Sequence, residues 1–310
     1  MTCEKVGRRC KALYSRGVAR VSERTYRVVC GAALGSLCVI VFTGALVRLT
    51  GSGLGCSDWP RCNESKFVDV SSGHTFIEQA NRLFTGVVSA SVIAAVLLSH
   101  IRRPKRKDLV LLAWSLVVGV LAQVVIGGVV VLTGLNPYAN MAHFLVSMVL
   151  IASALLLYRR AAVPQANSWW RDIPQNLIRL HIGLVVLACT AIVTGTVVTA
   201  SGPHAGDEDA VRFGFELVSV VRVHSVSVIG TIAMLVFLLL RSRVHSSGGY
   251  RDSLYTLAFV AVSQGAIGYL QYFTGVPVVL VAAHIIGAIA FFLAVLNTIF
   301  VPLPDNIGAE

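Results

Sequence analysis

The sequence is poor in charge. Asp, Glu, Lys and Arg make up 13% of its 310 residues, and only 15 of them are acidic. An ordinary soluble domain carries charge on roughly a quarter of its residues, so that class is excluded. The charges are also missing from particular places, nearly vanishing from long apolar runs that have no polar face to turn to water. With 55% hydrophobic residues and a mean hydropathy of +0.76, the chain has many such runs. About 20 apolar residues cross a hydrocarbon core. Eight runs reach that length, at roughly 27–48, 77–99, 109–132, 139–158, 177–199, 217–240, 253–273 and 278–300. Inside a bilayer the backbone must pair within its own segment, so each run is predicted to be a helix. The expected fold class is an all-α integral membrane protein with eight transmembrane helices.

The scarcity of acid leaves a net charge of +11, but its distribution excludes a nucleic-acid partner. Lys5, Arg8, Arg9, Lys11, Arg16, Arg20, Arg24 and Arg27 precede or open the first run. Arg102, Arg103, Lys105, Arg106 and Lys107 lie between runs two and three, Arg159, Arg160 and Arg171 between four and five, and Arg241, Arg243 and Arg251 between six and seven. If eight spans alternate, all of these fall on one side. The opposite loops hold only Arg48, Arg61, Lys66 and Arg212. Such asymmetry marks the cytoplasmic side and predicts cytoplasmic termini, with some attraction to anionic lipid. The first apolar run is too long for a signal peptide and reads as a retained helix.

The chain also repeats itself. Gln123–His143 reads QVVIGGVVVLTGLNPYANMAH and Gln264–His284 reads QGAIGYLQYFTGVPVVLVAAH. They align without a gap at Gln123/Gln264, Ile126/Ile267, Gly127/Gly268, Thr133/Thr274, Gly134/Gly275, Ala142/Ala283 and His143/His284. Thr43-Gly44 likewise matches Thr194-Gly195, and Ser52-Gly53 matches Ser201-Gly202. Four spans per unit is an even number, so both units enter the membrane in the same direction. The expectation is two tandem four-helix bundles related by a pseudo-twofold axis along the membrane normal. The boundaries are a basic segment 1–26, a first bundle 27–158 with an external loop 49–76, a linker 159–176, a second bundle 177–300 and a tail 301–310.

Histidine inside a membrane generally has a function. His143, His224 and His284 lie about five, eight and seven residues into spans four, six and eight, all counted from the external end. At 1.5 Å per residue they share a layer roughly 7–12 Å deep. His224 and His284 belong to helices two and four of one unit, an arrangement suited to bis-imidazole ligation of a heme iron. In the other unit His143 is the helix-four residue, and Asn81, a poor iron ligand, takes the helix-two position. Glu78 and Arg82 share a helix face with Asn81. A carboxylate at that depth has two readings: an ion pair with Arg82, or a catalytic group beside an arginine that binds a substrate propionate. His181, near the cytoplasmic end of span five, reads as structural. His74 and His204 face outside and are candidates for a site mouth.

Of seven cysteines, Cys3 and Cys10 are cytoplasmic, whereas Cys30, Cys38 and Cys189 lie within spans and behave as small hydrophobes. Cys56 and Cys62 are alone together in the external stretch GSGLGCSDWPRC. A close pair on that side is most simply a disulfide, either structural or redox-active.

These residues carry a resemblance to the heme A synthase family. Its carriers are VRLTGSGLGCSDWPRC after span one, EQANR opening span two, QVVIGGVVVLTGL and MAHFLVSM in spans three and four, VTGTVVTASGPHAGD after span five, RVH in span six and GYLQYFTGVPVVLVAAH in spans seven and eight. The resemblance implies oxidation of the C8 methyl of heme O to the formyl group of heme A. It implies a heme b cofactor held by His224 and His284, with the substrate heme in the first bundle at His143, Asn81 and Arg82. Glu78 is then the catalytic acid residue. The family often has histidine where Asn81 stands, and GPHAGD in place of a second cysteine pair resembles the actinobacterial branch. Heme O synthase and a membrane electron acceptor are the implied partners, together with self-association in the cell membrane. A heme O synthase itself is excluded, since no aspartate cluster for a prenyl diphosphate occurs in the spans. The rival readings are a b-type heme electron-transfer protein without turnover and a transporter. The transporter reading leaves the histidine layer unexplained.

Overall fold

The computed structural model describes residues 21–162, 174–242 and 248–300. The first 20 residues with Cys3 and Cys10, most of the 159–176 linker including Arg171, Arg243, His245 and the 301–310 tail lie outside the described residues. Among those described, eight helices are long and apolar enough to cross a membrane. They are α1 (Glu23–Leu49), α2 (Gly73–Ile101), α3 (Lys107–Leu132), α4 (Pro137–Ala162), α5 (Gln175–Ser201), α6 (Leu217–Ser242), α7 (Gly248–Phe273) and α8 (Val278–Phe300). Each of the eight apolar runs is one helix, extended at most by a turn or so into its polar flanks.

Those extensions have local causes. Ser22 accepts the Thr25 N–H at 3.0 Å and starts α1, while Ser72 and Thr75 form a reciprocal capping box on α2. Such caps satisfy N–H groups that have no partner inside the helix. At the basic end, buried Arg102 reaches Glu23 at 2.7 Å and lies 5.9 Å over the Tyr26 ring, tying the start of α1 to the end of α2.

Within the first four helices, α1 packs on α2 and α4, and α3 packs on α2 and α4. Within the second four, α5 packs on α6 and α8, and α7 packs on α6 and α8. The sets meet through α1, α4, α5 and α8. Large apolar side chains point outward, among them Leu111, Phe259 and Val279, as hydrocarbon rather than water requires.

The repeat reaches the backbone. Leu135 and Val276 both adopt a left-handed φ, 61° and 60°, each after a left-handed glycine, Gly134 or Gly275. In both turns the left-handed residue donates its N–H five residues back, Leu135 to Val130 at 2.8 Å and Val276 to Gln271 at 2.7 Å. Both turns therefore reverse the chain in the same way before the helix that carries a histidine. Asn136 then caps α4, its Oδ1 accepting from the Tyr138 and Ala139 N–H groups at 3.0 and 3.4 Å.

Packing is uneven along the helices. One apolar core joins Tyr26, Leu37, Val92, Leu116 and Ile151, and a second joins Leu184, Leu235, Leu257 and Val295. Both lie toward the basic end. Toward the loop end burial lapses: no described residue is buried over 38–46 of α1, 121–127 of α3, 138–147 of α4, 217–230 of α6, 262–273 of α7 or 278–288 of α8. Protein interiors are close-packed, so paired stretches of half-buried residues between contacting helices mark space reserved for something else. The two units also meet at this end. Gly53 N–H donates to Gly206 O at 2.9 Å, Leu135 packs with Ala205 and Ala210, and Tyr138 stands edge-on to Phe213 with centroids 4.8 Å apart.

Asn136→Ala removes the α4 cap and is expected to cost about 1 kcal/mol of stability. A thermal-shift measurement in detergent will show a lower midpoint for Asn136→Ala and a near-normal one for Asn136→Asp.

Candidate functional site

Four side chains enter the loosely packed layer, and each rests on a glycine of a neighbouring helix. His143 is the seventh residue of α4, His284 the seventh of α8 and His224 the eighth of α6. α4 begins two residues earlier than its apolar run suggested, which puts His143 and His284 at the same helical position. A Cβ added at Gly127 would lie 3.4 Å from His143 Cε1. At Gly268 it would lie 3.1 Å from His284 Cε1, and at Gly195 3.1 Å from His224 Cε1. The fourth place is Asn81, whose Nδ2 would lie 3.8 Å from a Cβ at Gly44.

Polar partners follow the same scheme. Thr194 Oγ1 lies 3.1 Å from His224 Nδ1, and in the other unit Thr43 Oγ1 donates to Asn81 Oδ1 at 2.8 Å. The Thr194 hydroxyl has the Thr190 carbonyl to donate to at 2.9 Å, so it receives the Nδ1–H and leaves the His224 Nε2 lone pair free. Gln123 Nε2 donates to the His143 carbonyl at 2.9 Å, and Gln264 Nε2 to the His284 carbonyl at 2.7 Å. His143 Nδ1, His284 Nδ1, Gln123 Oε1 and Gln264 Oε1 are buried and have no hydrogen-bond partner among the described residues.

Two imidazoles of one unit, His224 and His284, are close enough to interact electrostatically. Among the described residues no group of three or more His, Cys, Asp or Glu gathers as a metal site. Two ring nitrogens alone leave a metal undercoordinated, whereas a tetrapyrrole brings four further ligands of its own. The loosely packed layer, the glycine-backed rings and the His224–His284 pair therefore fit a heme. In the unit of His143, Asn81 presents an amide whose oxygen already accepts from Thr43, so that unit brings one imidazole to the layer. Two surface grooves, of about 520 and 490 Å3, lie elsewhere. The first is at the basic end of α5 and α6. The second runs between α4, α5 and α8 along Leu145 and Val149, on the side of α4 turned away from His143.

The connection 50–72 lies over the first unit. Cys56 and Cys62 are disulfide-bonded. The Cys56 N–H donates to Glu78 Oε2 at 2.7 Å, and Arg82 donates to Glu78 Oε1 through Nε at 3.0 Å and Nη2 at 2.6 Å. The same guanidinium donates to the Asp58 and Arg61 carbonyls. Glu78, 5% exposed, thus joins α2 to the disulfide loop, and the donors of Arg82 are all engaged. Trp59 continues the loop onto α3, where a Cβ at Gly128 would lie 3.1 Å from its ring. In the second unit the aligned residue is Tyr269, and Arg212 instead gathers carbonyls of its own connection, including Gly202, Ala210 and Pro203. Asp69 fastens the far end of the first loop. The Ser71 hydroxyl and backbone N–H, with Lys66, hold its carboxyl down at about 2.

The remaining described histidines make structural contacts. His181 is buried between Tyr250 at 2.8 Å and Thr298 at 3.4 Å. His74 meets Ser52 at 2.9 Å, His204 meets the Val276 carbonyl at 2.8 Å, and His100 accepts from Trp114 at 3.2 Å.

With this geometry in place, the profile of the COX15-CtaA family, described as cytochrome oxidase assembly protein, matches residues 27–71 and 66–296. The chain belongs to that family. Its curated relatives include proteins named heme A synthase. The one from Geobacillus kaustophilus is 35% identical over 136 residues, covering 42% of each chain. The one from Lysinibacillus sphaericus is 37% identical over 132 residues, covering 41% of each. That of Exiguobacterium sibiricum is 27% identical over 168 residues, 54% of this chain and 57% of the relative. The matched segments thus span about two fifths to just over half of these relatives.

The supporting residues Thr43, Gly44, Gln123, Gly127, Thr194, Gly195, Gln264 and Gly268 recur in the sequence, but were legible there only as marks of duplication. What could have found them is their spacing: each recurring glycine accompanies a polar residue that bonds the side chain or backbone of the same histidine or asparagine.

Arg82→Ala is expected to loosen the loop by on the order of 2 kcal/mol, about thirtyfold faster amide exchange over 50–72, while α3 and α4 keep their protection. Hydrogen-exchange mass spectrometry reads both. The Asp69 fastening has a depressed carboxyl, so its contribution is present above the ordinary carboxylate range and is lost as pH falls toward about 2. Exchange near Asn63 and Ser71, corrected for intrinsic rates, should be unchanged from pH 7 to 5.

Proposed function

We propose that this protein is a heme A synthase, oxidising the C8 methyl group of heme O to the formyl group of heme A for terminal cytochrome oxidase. The observation that carries the reading is the unequal pair of units: one carries two glycine-backed imidazoles, His224 and His284, and the other carries His143 with Asn81 in the fourth such place. The family and its relatives named heme A synthase support it. In this reading 27–158 is the substrate bundle and 177–300 the cofactor bundle, related by a pseudo-twofold axis along the membrane normal. The chain sits in the cell membrane with both termini cytoplasmic. The α5–α6 connection lacks a cysteine pair, which supports an actinobacterial-type branch.

His224 and His284 would hold heme b, which when bound supplies a one-electron relay out of the site. Thr194 orients the first ring and Gln264 fixes the backbone of the second. In the substrate bundle His143 is the single imidazole available to an iron, and Asn81 leaves the opposite side open. Conversion of a methyl to a formyl group takes two successive two-electron oxidations and loss of water from a geminal diol. Cationic character at that carbon calls for a fixed negative charge, and Glu78 supplies one, held by Cys56 N–H and Arg82. Arg82 then serves the substrate side by fixing Glu78 and the loop. A membrane electron acceptor, heme O synthase as the supplier of substrate and a second copy of the chain are the partners this reading carries.

A b-type electron-transfer protein is the rival, and product analysis separates the two. After co-expression with a heme O source, extracted hemes should include hydroxylated or formyl products. Hemes B and O alone under every redox condition would defeat the synthase reading. His224→Ala and His284→Ala should each abolish the b-type spectrum. Glu78→Gln should keep that spectrum and lower product formation at least a hundredfold. Normal turnover in Glu78→Gln would remove its catalytic role.

A further inference from the structure

Arg48 is a cation that the folded chain leaves unanswered. It is the penultimate residue of α1, half-buried between buried Val47 and Leu49. Its stem packs on the other unit: a Cβ at Gly206 would lie 3.1 Å from Arg48 Cγ. Among the described residues its guanidinium has no hydrogen bond, ion pair or ring contact. Two other arginines of this end are answered, Arg82 by Glu78 and two carbonyls and Arg212 by a set of carbonyls. Withdrawing a guanidinium from water without a partner is costly, so a site built this way expects an anion.

Its position says which anion. Arg48 is four residues after Gly44 and shares its face of α1, the face turned to Asn81. Helical side chains lean toward the helix start, so Arg48 overhangs the loosely packed layer about one turn, roughly 5.4 Å, above Asn81. In the aligned second unit the corresponding residue is Thr199, so this position of the repeat carries a cation in the first unit only. A planar guanidinium matches a carboxylate through two parallel hydrogen bonds. A heme entering this layer carries its only charged substituents, two propionates, on one edge. We propose that Arg48 is the carboxylate subsite of the first unit and takes a propionate of the substrate heme. This rests on the substrate assignment made above, and it moves the propionate contact from Arg82, whose donors are engaged, to Arg48.

The test titrates full-length protein, purified with its resident heme, with ferric iron protoporphyrin IX and separately with its propionate dimethyl ester. Absorption follows uptake of the additional heme, and the resident b-type spectrum verifies the fold. Wild type should bind the free acid roughly tenfold more tightly than the ester. Arg48→Gln should lose that preference by weakening the acid alone, and Arg48→Lys should keep part of it. An acid preference unchanged in Arg48→Gln, or acid and ester weakened alike in both variants, overturns the subsite and leaves the substrate assignment standing. A wild type that takes up no additional heme overturns both. An arginine serving a lipid headgroup gives a different result, in which acid and ester bind equally to wild type while phosphatidylglycerol retained on the purified protein falls in Arg48→Gln. That outcome also overturns the proposal.

Discussion

An imidazole projecting into a helix bundle needs an opposite wall with no side chain on it, and this requirement organises the protein. His143, His224 and His284 each lie against a glycine of an adjacent helix, and Asn81 occupies the fourth such place. The glycines set how closely the helices approach at that level, and the polar residue beside each one fixes the group it faces. Bulky apolar residues fill the basic half of both units, so the loop-end half can stay open without loss of the fold. Dense packing at one end permits loose packing at the other.

Against that common plan the differences between the units acquire meaning. The first unit has a disulfide loop whose backbone is fastened to Glu78 and Arg82 and whose Trp59 lies on Gly128. The second has a shorter connection gathered around Arg212, and Tyr269 where Gly128 would be. A site that holds its ligand permanently has no need of a built cover. Under the function proposed above, a site that exchanges ligand gains from one, and Glu78 sits in the seam between that cover and its helix.

The eight helices were legible because hydrocarbon leaves the backbone no alternative, and their ends shifted by about a turn at most, some of them at caps such as Ser72. The duplication and the histidine layer were legible because identical residues recur at identical spacing. The roles of Thr194, Gln264 and the cradling glycines were not, since a recurring small or polar residue looks the same whether it supports a ligand or only a helix contact. Glu78 and Arg82 showed their shared face in the sequence, but their bonds to Cys56, Asp58 and Arg61 depend on how a connection folds back. No helical period reports that. In the sequence Arg48 is only a topology charge; the fold adds that no described residue answers its guanidinium.

The two left-handed turns at Gly134-Leu135 and Gly275-Val276 have a consequence for descent. Each holds a glutamine and a histidine twenty positions apart in a closed hairpin, with its own reversal and its own cradle, and makes few demands on the rest of its unit. Such a hairpin is a self-contained cassette. After duplication, selection had no need to rebuild it; the residue across the cavity could diverge to histidine in one copy and asparagine in the other while the hairpin stayed the same.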